Sequence, residues 1–389
     1  LVENIIKKYK VEDRRDRKII TIDPSASKDF DDAMGIIQRN DYSVLSIYIA
    51  NVPLWLDYLN LWGSFSKRVS TIYLPDRKLP MLPTVLSDIL CSLQKDCSRF
   101  TLALDLKVSN ETGEILNYKF SKAVINVREN YIYDTKEQND DDIFKEVFNL
   151  VSKMNSKKKY TYKIKNCHDV VAYLMILMNH LCAKELYSNK RGLYRSMTYS
   201  KTYNAVEVTD NEEIQKFLNN WHSSGGNYNK FENIKQHEAL KLDKYLHITS
   251  PIRRLIDLLN IIKIQEILGL VQFSDDALLF YDSWTSDESL QFINNTMRSI
   301  RKVQSDCSML HMFYNKKTVL DKIYDGFIFD KMVRTDLMFQ YQVYLFDIKI
   351  VRRFITSENL DINTYNKFKL YLFVDEERLY KKIRLTLSS

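Results

Sequence analysis

Four aspartates crowd into a short stretch near the start of the chain. Asp23, Asp29, Asp31 and Asp32 fall within ten positions of the segment Thr21-Ile-Asp-Pro-Ser-Ala-Ser-Lys-Asp-Phe-Asp-Asp-Ala33. Carboxylates at this density raise one another's pKa unless a cation lies among them. Because hard oxygen ligands suit Mg²⁺ or Mn²⁺, the segment predicts a divalent-metal site held by these four side chains. Two such cations can bind a scissile phosphate and activate a water, so the segment indicates phosphoryl chemistry.

Two other interpretations of the aspartate segment compete with a catalytic metal site. An EF-hand Ca²⁺ loop that starts at Asp29 needs Gly at its sixth position and Glu at its twelfth, where the chain has Met34 and Asn40. That loop is therefore excluded. An acidic surface turn that caps a helix is the commonest explanation of a short acidic string. Apolar strand-like runs at 18–23 and 33–38 flank this string and disfavour a fully solvated turn.

A second segment of interest is Thr249-Ser-Pro-Ile-Arg-Arg254. Ser250 suits a helix N-cap, and Pro251 suits the first helical position. Apolar residues then recur at helical spacing, and Gly269 suits the end of a helix. The pattern predicts a helix whose first residue is Pro251.

The two arginines of this segment would lie in the first turn of that helix, where the helix dipole disfavours cations. Free backbone N–H groups and the guanidinium groups of Arg253 and Arg254 would together suit a phosphate. The alternative is an intrahelical ion pair between Arg253 and Asp257, which would neutralise one arginine but not both. His247, just upstream, is either a structural hydrogen-bonding group or a group that orients the site.

The surrounding elements predict an α+β fold for residues 1–320 and a small β-barrel of the OB type for residues 321–389. Strand-like runs come first, a buried apolar helix and a long amphipathic helix follow, and short strand-like pieces make up the end of the chain. The strand-like runs lie at 18–23, 33–38, 42–52, 340–350 and 368–373, and the helices lie at 170–187 and 286–314. Composition marks 223–227 as a loop.

Composition and charge restrict the class of protein only loosely. The net charge of +7 suits a polyanionic partner, but it also suits an ordinary solvated surface. The five cysteines form no CxxC pair, so we expect a reducing compartment, the cytoplasm or an organelle. No apolar run is long enough to span a bilayer, and no membrane partner is expected. Because the chain starts with Leu1, we expect N-terminal domains to be missing.

The ordered set of segments resembles the ribonuclease II, or RNB, family over roughly residues 15 to 315. Members carry a T-I-D-x-x-x-x-x-D-x-D-D-A motif and a later T-S-P-I-R-R motif. Further matching segments are Tyr73-Leu-Pro-Asp-Arg-Lys-Leu-Pro-Met-Leu-Pro83, Leu86-Ser-Asp-Ile-Leu-Cys-Ser-Leu93, Gly192-Leu-Tyr-Arg195 and His237-Glu-Ala-Leu240. Each motif alone is weakly specific, whereas the ordered set is highly specific.

The resemblance implies an RNB-type catalytic domain that removes nucleoside 5′-monophosphates from the 3′ end of single-stranded RNA by Mg²⁺-dependent hydrolysis, with Mn²⁺ as a substitute. Asp23, Asp29, Asp31 and Asp32 match the family's four acidic positions, which hold metal and the attacking water. Which aspartate has which role stays open. The family's N-terminal OB-fold domains are absent from this chain, so those domains or a protein partner would complete RNA binding.

Several RNA contacts follow from the same resemblance. Arg253 matches the arginine that contacts the scissile phosphate, and Arg254 would bind other RNA phosphates. Tyr73 matches an aromatic residue that packs on the terminal nucleotide, although a tyrosine in the core of a sheet is the alternative. Arg191 stands near the position where the family has an aromatic residue that helps clamp the terminal base, and we count Arg191 among the RNA-binding residues.

The chain departs from the family pattern outside the aspartate cluster. Leu255 stands in place of the usual Tyr, Ile261 and Ile262 replace a His-Arg pair, and Asn51 stands where Asp is common. These changes bear on base clamping, processivity and product length.

Two rival functions are a catalytically inactive RNB-fold RNA-binding subunit of an RNA-processing complex, and a two-metal phosphohydrolase that acts on DNA or nucleotides. The acidic cluster disfavours the first, because a surface that only binds phosphates gains nothing from four negative charges. The wider motif set disfavours the second.

Overall fold

The computed structural model describes residues 1–198, 211–221, 226–315, 318–376 and 380–388. The chain forms two compact units, one of residues 1–198 and 225–301 and the other of residues 199–224 and 302–389. The sequence predicts a domain boundary between residues 320 and 321 instead. The division into a catalytic domain and an RNA-binding barrel at that boundary stays a prediction. Residues 223–225 of the predicted loop lie outside the described residues.

Strands and helices mix along the described chain, as an α+β fold requires. The strands are β1 (Glu12–Arg14), β2 (Ile19–Asp23), β3 (Asp32–Gln38), β4 (Tyr42–Ala50), β5 (Ile72–Tyr73), β6 (Lys78–Leu79), β7 (Ser98–Ser109), β8 (Ile115–Asn126), β9 (Glu129–Ile132), β10 (Leu193–Ser196), β11 (Asn227–Lys230), β12 (Ile323–Val333), β13 (Phe339–Leu345), β14 (Ile350–Thr356), β15 (Thr364–Asp375) and β16 (Tyr380–Leu387). The helices are α1 (Val2–Tyr9), α2 (Val52–Tyr58), α3 (Lys136–Asp140), α4 (Asp142–Lys157), α5 (Cys167–Ser188), α6 (Glu212–Trp221), α7 (Leu255–Ile267), α8 (Asp275–Trp284), α9 (Asp287–Asn315) and α10 (Thr318–Asp321).

The first unit is built on a seven-stranded sheet with the strand order β1-β8-β7-β4-β3-β2-β9. The four central pairings are antiparallel, whereas β1 joins β8 and β9 joins β2 in parallel. The three strands predicted at 18–23, 33–38 and 42–52 are confirmed as β2, β3 and β4. The last one ends at Ala50, because Asn51 is already the N-cap of α2.

The pairing of β2 with β3 stops after Ile20, so the two strands separate there and the segment between them leaves the sheet. Asp23 is the last residue of β2, and Asp32 is the first residue of β3. The returning segment is fixed to β4, because the backbone N–H of Ala50 donates to the carbonyl oxygen of Asp31 at 2.8 Å. The gap between β2 and β3 therefore holds the aspartate cluster at the edge of a rigid sheet.

Two hydrophobic cores cover the two faces of this sheet. Successive residues of a strand face opposite sides, so Ile19 packs into the core that contains α2 and α7, and Ile20 packs into the core that contains α4 and α5. The buried helix predicted at 170–187 is confirmed as α5, and the long helix predicted at 286–314 is confirmed as α9. Among the described helices, none is both long and apolar enough to cross a bilayer.

The second unit contains a five-stranded antiparallel sheet with the order β14-β13-β12-β15-β16. Its outer strands β14 and β16 also contact each other, so the sheet nearly closes into a barrel, as predicted for the end of the chain. Tyr324, Tyr341 and Phe368 fill its core. Gly326 is required by this packing, because a Cβ atom there would lie 2.6 Å from the ring of Phe368.

Candidate active site

A cavity of about 620 Å³ in the first unit brings together seven of the eight side chains that the sequence singles out. They are Asp23, Asp29, Asp31, Asp32, Tyr73, Arg253 and Arg254. Arg191 is the exception, because it lines a different cavity of about 290 Å³ beside Lys230 and Lys263. The positions are thus established for all eight, whereas their roles stay predictions.

Asp23 and Asp32 form a partly buried acidic pair. Burial and then repulsion from Asp32 raise the pKa of Asp23 to about 8. Burial likewise raises the pKa of Asp32 to about 6, although the positive charge of Arg253 opposes this. The Oδ2 atom of Asp23 is buried without a hydrogen-bond partner among the described residues. A divalent cation would satisfy this oxygen and both charges, so the donor set fits Mg²⁺ or Mn²⁺.

Asp31 has a different environment, because both of its oxygens are already engaged. Oδ1 accepts a hydrogen bond from the backbone N–H of Ile252 at 2.8 Å, and Oδ2 accepts one from Nε of Arg253 at 3.0 Å. Burial raises the pKa of Asp31 to about 7 against the lowering effect of these donors. Asp31 therefore holds Arg253 in place, while the side chain of Arg253 stays 45% exposed at the cavity.

Asp29 is held by two side chains from the segment that contains β5 and β6. The hydroxyl of Tyr73 donates to Oδ2 of Asp29 at 2.5 Å, and Nζ of Lys78 lies 3.5 Å from Oδ1. The same Nζ lies 2.8 Å from Oδ1 of Asp88. Lys78 was missed by sequence reasoning, because a lone lysine in a short strand carries no distinguishing pattern. Asp29 therefore has a positively charged neighbour in Lys78, with which neither Asp23 nor Asp32 forms an ion pair.

The helix predicted to begin at Pro251 begins instead at Leu255, so this prediction was wrong. The backbone N–H of Ser250 donates to Oδ1 of Asp257 at 2.8 Å, and a further N–H of the segment donates to Asp31. Residues 250–254 therefore form a turn whose N–H groups bind carboxylates. The helix-start pattern failed because one of these carboxylates belongs to Asp31, which is distant in sequence and so cannot be recognised from the residues around Pro251.

The ion pair between Arg253 and Asp257, the alternative to a phosphate role, does not form. Asp257 is fully buried and pairs with Arg254, whose Nη2 lies 2.8 Å from its Oδ1, whereas Arg253 pairs with Asp31. Because neither arginine lies in the first turn of α7, the helix-dipole argument for a bound phosphate has no basis here. What remains is that both guanidinium groups line the cavity.

Three further polar groups surround the site, and no pattern in the sequence identifies their partners. The side-chain amides of Asn51 and Gln265 bond reciprocally, at 2.6 Å and 3.1 Å, and so join the end of β4 to α7. The ring of His247 is hydrogen-bonded through Nδ1 to the hydroxyl of Tyr228 at 2.8 Å. Burial and the nearby Arg254 lower the pKa of His247 well below its usual range, so the ring is neutral.

An aromatic side chain that sequence reasoning missed also lines the cavity. The ring of Tyr133 stacks on that of His168, with a distance of 4.0 Å between centroids. Burial and the charges of Asp32 and Asp23 raise the pKa of the Tyr133 hydroxyl, which shows that it lies close to the acidic pair. Tyr73 and Tyr133 thus give the acidic site two aromatic side chains.

Comparison with known proteins identifies a family. The family model described as RNB domain matches residues 11–147 and 138–269. Ribonuclease R from Chlamydia pneumoniae is 23% identical over 314 residues, which cover 64% of this chain and 46% of that protein. Ribonuclease R from Chlamydia trachomatis serovar D is 35% identical over 124 residues, 31% of this chain and 18% of that protein. The chain thus spans less than half the length of these two curated relatives.

Solved structures match the fold over almost the whole chain. RNase R from Mycoplasma genitalium, solved in complex with ribose-methylated single-stranded RNA, has a TM-score of 0.80 at 21% identity and covers 100% of this chain and 73% of that one. Yeast Ssd1, described as a pseudonuclease, has a TM-score of 0.71 at 13% identity and covers 93% of this chain and 52% of that one. At these identities the likeness establishes the fold alone.

Proposed function

Because the chain belongs to the RNB domain family, we propose that it is a metal-dependent, hydrolytic 3′→5′ exoribonuclease that shortens single-stranded RNA to nucleoside 5′-monophosphates by a two-metal mechanism. The observation that carries this proposal is the partly buried acidic pair of Asp23 and Asp32. Two carboxylates with raised pKa values destabilise the site unless a cation neutralises them, and they share a cavity with Arg253 and Arg254.

The metal would be held chiefly by Asp23 and Asp32, whose oxygens accept no side-chain hydrogen bond from the surrounding arginines. Bound Mg²⁺ or Mn²⁺ would supply an activated water and charge neutralisation at the scissile phosphate. Asp29 lines the same cavity and would take part in binding the ion, although Lys78 and Tyr73 already contact it. Asp31 would act by holding Arg253 and not by binding the ion.

The protein's own groups would bind and orient the RNA. Arg253, fixed through Nε by Asp31, would present its remaining N–H groups to the oxygens of the scissile phosphate and stabilise charge that develops there. Arg254 would add positive charge for a neighbouring phosphate. Tyr73, positioned by its hydrogen bond to Asp29, would pack against the terminal nucleotide.

The proposed substrate is single-stranded RNA, the ligand in the matching structure of RNase R from Mycoplasma genitalium. The C-terminal barrel would contribute to binding it. Tyr365, Lys367, Lys369 and Tyr371 alternate along β15, and all four are exposed on its outer face. Basic side chains flanked by aromatic ones suit the phosphates and bases of a single strand. An additional RNA-binding domain or a protein partner would extend this surface.

The proposed location is a reducing compartment, either the cytoplasm or an organelle. All five cysteines are free, and three of them are buried. Free buried thiols are typical of proteins that fold where disulfides do not persist.

A second candidate function is an RNA-binding protein of the same fold without catalysis. The structural likeness to Ssd1, a pseudonuclease, makes this alternative specific. The acidic pair argues against it, since a binding surface for phosphates is weakened by uncompensated carboxylates.

A labelled-RNA assay separates the two functions. We would incubate 5′-labelled single-stranded RNA with the protein and Mg²⁺, and compare the wild type with Asp32→Asn, with Asp41→Asn as the matched exposed control and with added EDTA. An exonuclease gives a ladder that shortens from the 3′ end, lost in Asp32→Asn and EDTA but kept in the control. Intact RNA with normal binding by the wild type would support the pseudonuclease.

A further inference from the structure

Three lysines from separate segments converge outside the catalytic cavity. Lys158 caps the C-terminus of α4, Lys184 lies on α5, and Lys244 lies on the segment that precedes the 249–254 turn. Lys184 follows His180 by four positions on α5, so their side chains share one side of that helix. Burial, followed by the charges of these lysines, lowers the pKa of His180 to about 4. Burial and the charge of Lys184 also lower the pKa of Lys158.

Tyrosines lie under two of these lysines. The Nζ of Lys158 lies 5.1 Å from the ring centroid of Tyr160, whose hydroxyl is 3.2 Å from Nδ1 of His180. The Nζ of Lys244 lies 3.7 Å from the ring centroid of Tyr187, which is 41% exposed. Because Tyr187 follows Lys184 by three positions on α5, both side chains point to the same side of the helix. We call Lys158, Lys184, Lys244 and Tyr187 the basic face.

The lysines of the basic face lack ion-pair partners among the described residues. Across the described part of the chain none of the three forms an ion pair with a carboxylate, whereas Lys95 and Lys263 pair with nearby glutamates. Clustered like charges lower the stability of the folded state, so an arrangement without acidic partners is typical of a surface that binds a polyanion.

The basic face adjoins the catalytic cavity along two segments. Asn179 and Tyr245 both line the cavity, and Nδ2 of Asn179 donates to the hydroxyl of Tyr245 at 2.9 Å. The next residue after Asn179 is His180, and the residue before Tyr245 is Lys244. The cavity wall and the basic face therefore share two segments of the chain. A strand that leaves the cavity on this side would meet the three lysines.

We propose that the basic face is a second binding site for single-stranded RNA, which holds phosphates of the strand beyond the part that enters the catalytic cavity. The proposal rests on the proposed function only in its choice of RNA as the polyanion. The lysines would bind phosphates as point charges, and the half-exposed ring of Tyr187 would stack with a base. Lys158 lies in the short basic run Lys157-Lys-Lys159. The fold places this run near two lysines with which the sequence alone does not connect it.

The test compares a triple Lys→Gln variant at positions 158, 184 and 244 with a matched control. The control changes Lys7, Lys119 and Lys136 to Gln, three exposed lysines of the same unit that lie elsewhere on its surface. A third variant changes the three lysines of the basic face to Arg and keeps their charge. Circular dichroism and thermal unfolding establish that all three variants are folded.

The measurement is the affinity for RNA of about 25 and about 5 nucleotides, taken in EDTA over a range of salt concentrations. Each phosphate contact on a single strand contributes about 0.7 to the slope of log K against log salt, so three contacts predict a slope smaller by about 2. We expect the triple Gln variant to lose about tenfold in affinity for the longer RNA near physiological salt, and clearly less for the shorter RNA. The control and the Arg variant should bind like the wild type.

Equal affinity of the triple Gln variant and the control for the longer RNA would overturn the proposal. So would an RNA affinity that is unchanged while binding of polyglutamate falls, because the partner would then be an acidic protein. The assay needs no turnover, so its result is independent of the proposed function. If the wild type leaves RNA intact with Mg²⁺, the exonuclease proposal fails, and the binding data still decide whether the basic face binds RNA.

Discussion

Replacing Asp32 by Asn should stabilise the metal-free protein at the same time as it abolishes hydrolysis. Asp32 is partly buried beside Asp23, and removal from water raises its pKa to about 6. Near pH 8 the folded protein must therefore keep a carboxylate ionised in an unfavourable environment, whereas the unfolded chain ionises it in water. Asn has nearly the same shape and no charge, so the variant removes this cost without leaving a large void.

The magnitude follows from the difference between the pKa values of Asp32 in the two states. An unperturbed Asp titrates at about 3.9, and each pH unit of difference corresponds to about 1.4 kcal/mol. Because the folded-state value is the higher one, this carboxyl lowers stability progressively as pH rises from about 4 through about 6, and the loss is complete near pH 8. We expect the variant to gain about 2 to 3 kcal/mol in free energy of unfolding near pH 8, and only about 0.5 kcal/mol near pH 4.

The assay is urea denaturation of the wild type, Asp32→Asn and Asp41→Asn in EDTA at both pH values. Asp41 is exposed in the turn between β3 and β4, so its variant should match the wild type throughout. Added Mg²⁺ should stabilise the wild type near pH 8 and should have little effect on Asp32→Asn. A variant that is no more stable than the wild type near pH 8 in EDTA would refute the account of Asp32 as a strained metal ligand.

Three other predictions test separate parts of the structure. Arg253→Lys removes the Nε donor to Asp31, so single-turnover hydrolysis should fall by about tenfold to hundredfold with a smaller change in RNA affinity, and an unchanged rate would exclude a role for the guanidinium. Asn51→Leu or Gln265→Leu leaves the partner amide buried without its hydrogen bonds, so each variant should lose about 1 to 3 kcal/mol of free energy of unfolding in urea denaturation. The double variant should lose less than the sum of the two single losses, and additive losses would contradict the pairing. Gly326→Ala should lower the stability of the barrel by about 1 to 3 kcal/mol in thermal unfolding, because its Cβ would overlap an aromatic ring.

The sequence allowed the local parts of the site to be predicted. β2 ends at Asp23 because a run of β-branched residues stops there, and the spacing of the aspartates is visible in the sequence itself. The buried helix α5 and parts of β13 and β15 follow from apolar runs, although the run predicted at 340–350 includes the turn between β13 and β14. These features depend on neighbours within a few residues, and for that reason a single sequence suffices to find them.

Long-range partners could not be predicted. The helix start at Pro251 was wrong because Asp31 takes an N–H group that a helix start would leave for a cap. Lys78 and Gln265 have no pattern of their own, and their partners are known only from the fold. Arg191 was placed by its neighbourhood in the sequence, yet Gly192 turns the chain at φ 105 directly after it, and Arg191 lines another cavity.

The hydrogen bond between Asp31 and Ile252 joins residues that are 221 positions apart. In a chain made from its N-terminus, all four aspartates are synthesised long before the turn that fixes Asp31 and Arg253. Contacts of such high contact order form late, because the loop between them must first be closed. The complete site therefore requires nearly the whole of the first unit, and proteolytic fragments that end before Ile252 keep the four clustered aspartates while lacking the groups that arrange them.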